Sequence, residues 1–195
     1  MIVYCATSNP GKLREFRLAG ETFGHVQVET VPGLREIAPP DETGSTFEEN
    51  AVEKAVFYAR HTPGWIFVDD SGLEVDALSG EPGVYSARYA GADATDAANN
   101  ALLLERLRGK ANRGAQFVCV IALARDGELV RTFRGVVRGR IIDEARGPNG
   151  FGYDPLFYYE PFGSTFGEAA AADKMQVSHR AQALREMFTW LGEFR

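Results

Sequence analysis

Two adjacent carboxylates, Asp69 and Asp70, directly follow an apolar run at residues 65–68. Two ionised carboxylates beside a buried strand are costly unless a cation or a metal ion pairs with them. Open α/β sheets bind ligands at the carboxyl ends of their strands, and we expect the aspartates to lie at such an end. One aspartate could then hold Mg²⁺ while the other takes a proton from a metal-activated water. The alternative is an Asx-turn through Ser71 and Gly72, by which the chain leaves the sheet.

A further carboxylate, Glu49, stands three residues after Thr46, and this spacing is that of a helix-capping box. Its side chain therefore has a structural use at the start of a helix that we predict to end near residue 61. If that helix begins near the two aspartates, the same carboxylate could complete the Mg²⁺ site. Lys54 lies about a turn and a half further along and points in a different direction unless a ligand bridges the two. The spacing leaves both roles of Glu49 open.

A strand-to-helix turn at residues 7–12 is the first candidate for phosphate binding. The backbone N–H groups of such a turn, the helix N-terminus and the side chain of Lys12 can together hold phosphate oxygens. Ser8 or Asn9 would cap the helix, and Pro10 fits its first turn, where a missing N–H does no harm. The turn lacks the glycine spacing of a Walker P-loop. An ordinary capped helix start is the alternative interpretation.

Residues 147–155 form a turn-rich segment that carries two aromatic side chains and a carboxylate. Its glycines let the backbone approach a flat ligand closely, Phe151 can stack on such a ligand, and Asp154 can accept hydrogen bonds from ring N–H groups. The chain then offers cationic or potentially cationic side chains near a helix start, as a phosphorylated tail would require. Surface turns before an ordinary basic helix start are the alternative. The three side chains concerned are Lys174, His179 and Arg180.

The chain of 195 residues, 45% hydrophobic and 25% charged, has the composition of a globular protein, and we predict a single domain over residues 1–195. No apolar run approaches the ~20 residues that span a bilayer. The start of the chain lacks the basic leader of a secretory signal, so we expect a cytoplasmic protein. Cys5 and Cys119 lie in apolar runs, as buried free thiols do, which suits a reducing compartment. The net charge of −6 argues against binding to long nucleic acids, whereas a small anionic ligand needs only a few cations.

Hydrophobic alternation and capping residues predict the elements that must position these side chains. Asp126 and Gly127 are a two-residue hairpin signal between strand-like runs at residues 116–125 and 128–138. Strand–helix units together with a long hairpin predict an α/β fold with a mixed sheet. Further strands are predicted at residues 2–6, 26–30, 65–68 and 156–159, and further helices after Asn9, from 46 to about 61, from 95 to about 108, and after Ser178.

Taken together and in this order, these motifs resemble the inosine triphosphate pyrophosphatase family over nearly the whole chain. The resemblance implies a two-lobed single domain around an elongated mixed β-sheet, with a central nucleotide-binding cleft, and a homodimer. Ser8 stands where many relatives have glycine, which bears on fine geometry rather than on the reaction. The matching motifs lie at residues 7–12, 47–51, 68–73, 82–89, 150–155 and 178–180, together with Lys54 and Lys174.

The resemblance also implies Mg²⁺-dependent hydrolysis of non-standard purine nucleoside triphosphates (ITP, dITP and XTP) to the monophosphate and pyrophosphate, which cleanses the nucleotide pool. It assigns the general base to Asp70 and the metal ligands to Glu49, Asp69 and Asp70. Phe151 would stack on the purine, with Asp154, His179 and Arg180 reading its edge. The substrate-binding residues that it implies are Thr7, Ser8, Asn9, Pro10, Gly11, Lys12, Lys54, Ser71, Phe151, Gly152, Tyr153, Asp154, Lys174, His179 and Arg180.

Three other classes of function compete with this interpretation. A phosphatase with an aspartyl nucleophile at Asp69 or Asp70 would release orthophosphate, but the usual second aspartate two positions later is replaced by Ser71 or Gly72. A nucleotide sensor that does not hydrolyse its ligand has little need for three carboxylates beside a triphosphate. A nucleic-acid-binding role is weakest, because the chain is acidic and shows no basic stripe.

Overall fold

The computed structural model describes residues 1–193, which form a seven-stranded sheet and five α-helices. The strands are β1 (Ile2–Cys5), β2 (Gln27–Thr30), β3 (Trp65–Val75), β4 (Gly114–Arg125), β5 (Glu128–Ile141), β6 (Phe157–Tyr159) and β7 (Ser164–Thr165). The helices are α1 (Pro10–Phe23), α2 (Phe47–Ala59), α3 (Asp96–Arg106), α4 (Ala171–Val177) and α5 (His179–Gly192).

The strands follow the order β2-β1-β3-β4-β5-β6-β7 across the sheet. β1 pairs in parallel with β2 and with β3, whereas β6 pairs antiparallel with both β5 and β7. β4 and β5 are neighbours joined by Asp126 and Gly127, whose φ angles of 53° and 85° are those that a type I′ hairpin turn requires. The predicted hairpin and the predicted α/β fold with a mixed sheet are both confirmed.

Two compact units share the chain. The first contains residues 1–70 and 119–135 and the chain from residue 179 onward, and the second contains residues 71–118 and 136–178. Each unit has its own aromatic core, with Phe16 and Phe67 in contact in the first and Phe117 and Phe157 in contact in the second. The single domain over residues 1–195 stays a prediction, and its last two residues lie outside the described part of the chain.

Local capping signals fix where the helices begin. Asn9 caps α1, because its Oδ1 accepts hydrogen bonds from the backbone N–H groups of Gly11 and Lys12. The capping box at Thr46 and Glu49 is formed in full at the start of α2. Within residues 1–193 no helix is long and apolar enough to cross a membrane.

β3 does not end at its two carboxylates. The strand continues through Asp69 and Asp70 as far as Val75, so both the predicted strand end and the alternative Asx-turn are wrong. Successive side chains of a strand point to opposite faces, and each of these carboxylates meets its own cation there. Because both charges are paired, the strand can continue where the sequence pattern indicated a stop.

Candidate functional site

Asp69 belongs to a buried charge network that joins β3 to α1 and α5. Its Oδ1 is 3.0 Å from Nζ of Lys12, and its Oδ2 is 3.2 Å from Nε of Arg180. Burial by itself would raise the pKa of Asp69, but the charges of Lys12 and Arg180 outweigh it and hold that pKa below its ordinary value. The carboxylate is therefore ionised at neutral pH in the folded protein.

Arg180 is buried and reaches a second carboxylate. Its Nη1 lies 2.5 Å from Oε2 of Glu15 in α1. Burial lowers the pKa of this guanidinium, but Glu15 and Asp69 together raise it above its ordinary value. Sequence reasoning missed Glu15, although it stands three residues after Lys12 and therefore on the same face of α1. That spacing was the available signal.

Asp70 belongs to a second charge network on the α2 side of β3. Its Oδ1 is 2.7 Å from Nζ of Lys54, and its Oδ2 is 3.5 Å from Nδ2 of Asn50. Burial raises the pKa of Asp70 above its ordinary value, and the nearby charge of Lys54 only partly opposes this. Nζ of Lys54 also contacts Oε1 of Glu42 at 2.8 Å. Glu42 was missed because it lies in a connection that the sequence marks only as proline-rich.

Glu49 has a structural role at the start of α2. Its Oε2 accepts hydrogen bonds from the N–H and hydroxyl groups of Ser45 and from the N–H of Thr46. These bonds hold the pKa of this exposed carboxylate below its ordinary value, with the Ser45 hydroxyl contributing most. No group of three His, Cys, Asp or Glu side chains is arranged for a metal within residues 1–193. The metal role of Glu49 stays a prediction.

The predicted strand-to-helix turn is present, with residues 6–9 connecting β1 to α1 and residues 10–12 already in the first turn of α1. Oγ1 of Thr7 accepts a hydrogen bond from the N–H of Asn9, and Ser8, Asn9 and Pro10 are exposed. The side chain of Lys12 extends to Asp69 and donates a hydrogen bond to its Oδ1. The phosphate-binding role of the turn stays a prediction.

The second unit contains a buried ion pair beneath an aromatic ring. Oδ2 of Asp154 accepts hydrogen bonds from Nζ of Lys174 at 2.6 Å and from the N–H of Phe151 at 2.9 Å. Lys174 and Asp154 are almost fully buried, whereas Phe151 is partly exposed. The ammonium of Lys174 lies 4.9 Å from the centroid of the Phe151 ring, within cation–π range. The structure thus brings together three of the predicted substrate-binding residues.

Close packing fixes the shape of the loop at residues 147–155. Gly150 has a φ of 75°, and a methyl group there would overlap the carboxylate of Asp154. Tyr153 is buried and donates a hydrogen bond from its hydroxyl to the carbonyl oxygen of Ser86 at 2.8 Å. Glycine is therefore required at Gly150 both for its backbone angle and for the space that Asp154 occupies.

The remaining predicted site residues lie on regular elements. Ser71 follows Asp70 in β3 and is half-buried. His179 is the first residue of α5 and is buried beside Arg180. The structure therefore places the predicted charged residues of the first unit in networks around Asp69 and Asp70, and it places Phe151, Asp154 and Lys174 together in the second unit.

A buried carboxylate of raised pKa beside a lysine, in a mixed α/β fold, marks a candidate catalytic group of an enzyme. The family model described as the Ham1 family matches residues 3–190, and the chain belongs to the Ham1 family. This confirms the resemblance found in the sequence.

Relatives and solved structures agree with this assignment. The chain is 48% identical to a protein of an Exiguobacterium species named dITP/XTP pyrophosphatase, over 96% of this chain and 95% of the relative. It is 46% identical to a protein of the same name from Acidobacterium capsulatum, over 98% of both chains. The solved structure of the Staphylococcus aureus Ham1 protein has a TM-score of 0.88 and 40% identity and covers all of both chains.

Proposed function

We propose that this protein hydrolyses non-standard purine nucleoside triphosphates (ITP, dITP and XTP) to the nucleoside monophosphate and pyrophosphate. The observation that carries the proposal is Asp70, a buried carboxylate whose pKa is raised and which contacts Lys54. The relatives named dITP/XTP pyrophosphatase support the same substrate class. By removing such nucleotides the protein cleanses the nucleotide pool.

The proposed reaction is attack of water on the α-phosphorus. Asp70 accepts a proton from the water as the new oxygen–phosphorus bond forms, and the bond to the bridging oxygen breaks so that pyrophosphate leaves. A carboxylate of raised pKa is a stronger base than an exposed one, which suits this proton transfer. Lys12 and Lys54, with the turn at residues 7–12, bind the phosphate oxygens.

We propose that a divalent cation binds at the carboxylates of the first unit. Carboxylate oxygens are the ligands that Mg²⁺ prefers, and Glu42 and Asp70 each place an oxygen within 3 Å of the same lysine nitrogen. When bound, Mg²⁺ supplies electrostatic stabilisation of the charge on the phosphates. We propose Asp70 as its ligand, with Glu49 and Asp69 as predicted from the resemblance and Glu42 added from this geometry.

The loop of the second unit binds the purine in this proposal. Phe151 stacks on the base, a contact that contributes about 1–3 kcal/mol in other proteins, and Asp154 accepts a hydrogen bond from a ring N–H. Lys174 neutralises Asp154 and is also predicted to contact phosphate. His179 and Arg180 belong to the first unit, and their contacts with the purine edge stay predictions from the resemblance, in which a donor favours a 6-oxo base over the amine of adenine.

A homodimer in the cytoplasm completes the proposal. Both properties come from the family resemblance and the composition. Sedimentation equilibrium of the purified protein distinguishes a dimer from a monomer, and a monomer at micromolar concentration would contradict the dimer.

The decisive experiment is product analysis by phosphorus NMR after incubation with ITP and Mg²⁺ in ¹⁸O-labelled water. We expect monophosphate and pyrophosphate, with the label in the monophosphate and with ATP largely spared. Orthophosphate with inosine diphosphate would instead indicate attack at the terminal phosphorus and would refute the proposed reaction. Tight binding of ITP without any product would favour the sensor.

The metal ligands can be separated by two variants. Glu42→Gln and Glu49→Gln are compared for the Mg²⁺ concentration that gives half-maximal rate, with Glu21→Gln, an exposed glutamate of α1, as the control. A variant that loses a direct metal ligand needs a higher Mg²⁺ concentration than the control. If Glu49→Gln instead lowers only the melting temperature, its carboxylate serves as a cap.

A further inference from the structure

Two side chains of α3 hold both backbone groups of a single glycine in the loop at residues 147–155. The N–H of Gly152 donates a hydrogen bond to Oδ2 of Asp96 at 2.6 Å. The carbonyl oxygen of Gly152 accepts one from Nδ2 of Asn100 at 3.0 Å. Asp96 and Asn100 are four residues apart and so lie on the same face of α3. Neither residue belongs to the site that the family resemblance implies.

These two bonds fix two different peptide planes. The N–H of Gly152 belongs to the peptide that joins it to Phe151, so Asp96 holds the plane next to the aromatic residue. The carbonyl of Gly152 belongs to the peptide that joins it to Tyr153, so Asn100 holds the plane that leads toward Asp154. Gly152 has a φ of 61°, in the left-handed region that glycine adopts without a steric cost. The orientation of Phe151 therefore depends on α3.

We propose that Asp96 and Asn100 are positioning residues for recognition of the base. By clamping Gly152 they hold the ring of Phe151 and the carboxylate of Asp154 in the arrangement that receives a flat ligand. The inference rests on the proposed function, in which Phe151 and Asp154 contact the purine. It goes further by assigning that recognition to two residues that do not touch the base themselves.

Asp96 also has a structural role at the start of α3, and the test must separate that role from its hydrogen bond to Gly152. It stands in the first turn of α3, where a negative charge stabilises the helix dipole. Asp96→Asn removes the charge but keeps an oxygen that can accept the Gly152 N–H, whereas Asp96→Ala removes both. If Asp96→Asn keeps the wild-type KM for ITP, the hydrogen bond to Gly152 is the important contact. If KM rises equally in both variants, the effect comes from the loss of charge beside the helix dipole.

The experiment measures kcat and KM for ITP in Asp96→Ala, Asn100→Ala, the double variant and Asp96→Asn. The matched control is Asp93→Ala, because Asp93 is an exposed aspartate just before the same helix. We expect each single alanine variant to raise KM about 3- to 10-fold with kcat nearly unchanged. The double variant should raise KM by less than the product of the two single effects. Both side chains hold Gly152, so once one substitution has freed this residue, the second has less left to change. Asp96→Asn should restore most of the wild-type KM.

Two further measurements keep the clamp and the proposed function distinguishable. Affinity for ITP is measured by calorimetry in an Asp70→Asn background, where binding is read without turnover. Hydrogen exchange of the loop at residues 147–155 is followed by mass spectrometry, and we expect faster exchange there in Asp96→Ala. A wild-type protein that binds ITP but does not hydrolyse it contradicts the proposed function alone. Unchanged ITP affinity in the folded double variant overturns the clamp.

Discussion

The charge networks around Asp69 and Asp70 and the loop at residues 147–155 use opposite ways of placing functional groups. Asp69 pairs with Lys12 and Arg180, which are 57 and 111 positions away in the chain. In the loop, by contrast, Asp154 bonds the N–H of Phe151 only three positions away. Regular elements bring the distant charges together, whereas the loop combines short-range bonds of this kind with two contacts to α3 at Gly152.

Substitutions in the two regions should therefore have different effects. The charge networks join β3 to three helices, so a substitution there affects chemistry or the stability of the first unit. The loop mainly orients an aromatic ring and one carboxylate, so a substitution there affects affinity for the base. Variants in the two regions should therefore differ in whether they change kcat, stability or KM.

The largest expected effect is on turnover in Asp70→Asn. Loss of a general base lowers kcat by about 10²–10⁴-fold, and the neutral amide still fits beside Lys54, so the fold should be kept. The rate of ITP hydrolysis and the melting temperature are measured together. Asp126→Asn in the β4–β5 turn is the control, because asparagine also adopts its positive φ. Substantial activity in Asp70→Asn would remove Asp70 as the base.

Asp69→Asn should instead mainly reduce stability. It leaves Lys12 and Arg180 with a neutral partner in a buried position, and breaking such a pair costs about 3–5 kcal/mol in other proteins. Chemical denaturation at pH 7 measures the change in the free energy of unfolding. Asp41→Asn, at an exposed position in the same unit, is the control and should differ little from wild type.

The same variant has a defined pH dependence. Because the pKa of Asp69 is lowered in the folded state, the unfolded chain binds a proton first as the pH falls through about 4, the ordinary pKa of aspartate. The stability that this ionised carboxylate contributes is present above that pH and is lost as the pH falls toward the lower folded pKa. The difference between wild type and Asp69→Asn should therefore shrink below about pH 4, and a constant difference would contradict the pairing.

Gly150→Ala tests the loop. Its methyl group would overlap the carboxylate of Asp154, so we expect KM for ITP to rise about tenfold while kcat changes little. Gly109→Ala is the matched control, because Gly109 has the same φ of 75° but open space around its Cα. Both variants carry the backbone strain, so an equal rise of KM in both would show that displacement of Asp154 is not the cause.

The smallest change is expected in the labelling of the two buried thiols, which should be unreactive in the native protein. Cys5 and Cys119 are fully buried in the first unit, and burial, together with the charge of Asp69, raises the pKa of Cys5 to about 12. An aromatic disulfide reagent at pH 8 should label neither thiol until the protein unfolds. Labelling should accelerate in Asp69→Asn but not in Gly150→Ala, if the two regions are held as differently as the contacts indicate.

Local patterns in the sequence predicted local structure well. The cap at Asn9, the capping box at Thr46 and the hairpin turn at Asp126 and Gly127 each depend on neighbouring residues, and each is present in the structure. Adjacent carboxylates and a glycine-rich aromatic turn are unusual patterns, so they marked candidate site residues in the sequence, and the roles of those residues stay predictions.

The pairings between distant elements were not predictable in the same way. The continuation of β3 past Asp70 depends on cations from α1, α2 and α5. The sequence around the two aspartates contains no signal that indicates these partners. The partner of Glu42 was hidden for the same reason, and the spacing that places Glu15 beside Lys12 does not indicate its partner Arg180, 165 positions away. Gly152 is held by α3, 52 and 56 positions earlier.

The alternation of β3 also restricts how this gene segment can change in evolution. Asp69 and Asp70 serve different networks only because adjacent residues of a strand point to opposite faces. Deleting a single residue from the run at 65–68 would turn each carboxylate toward the cation system of the other, whereas a substitution there leaves both in place. Length variation among descendants of this protein should therefore be excluded from that run and concentrate in connections such as the proline-rich one between β2 and α2.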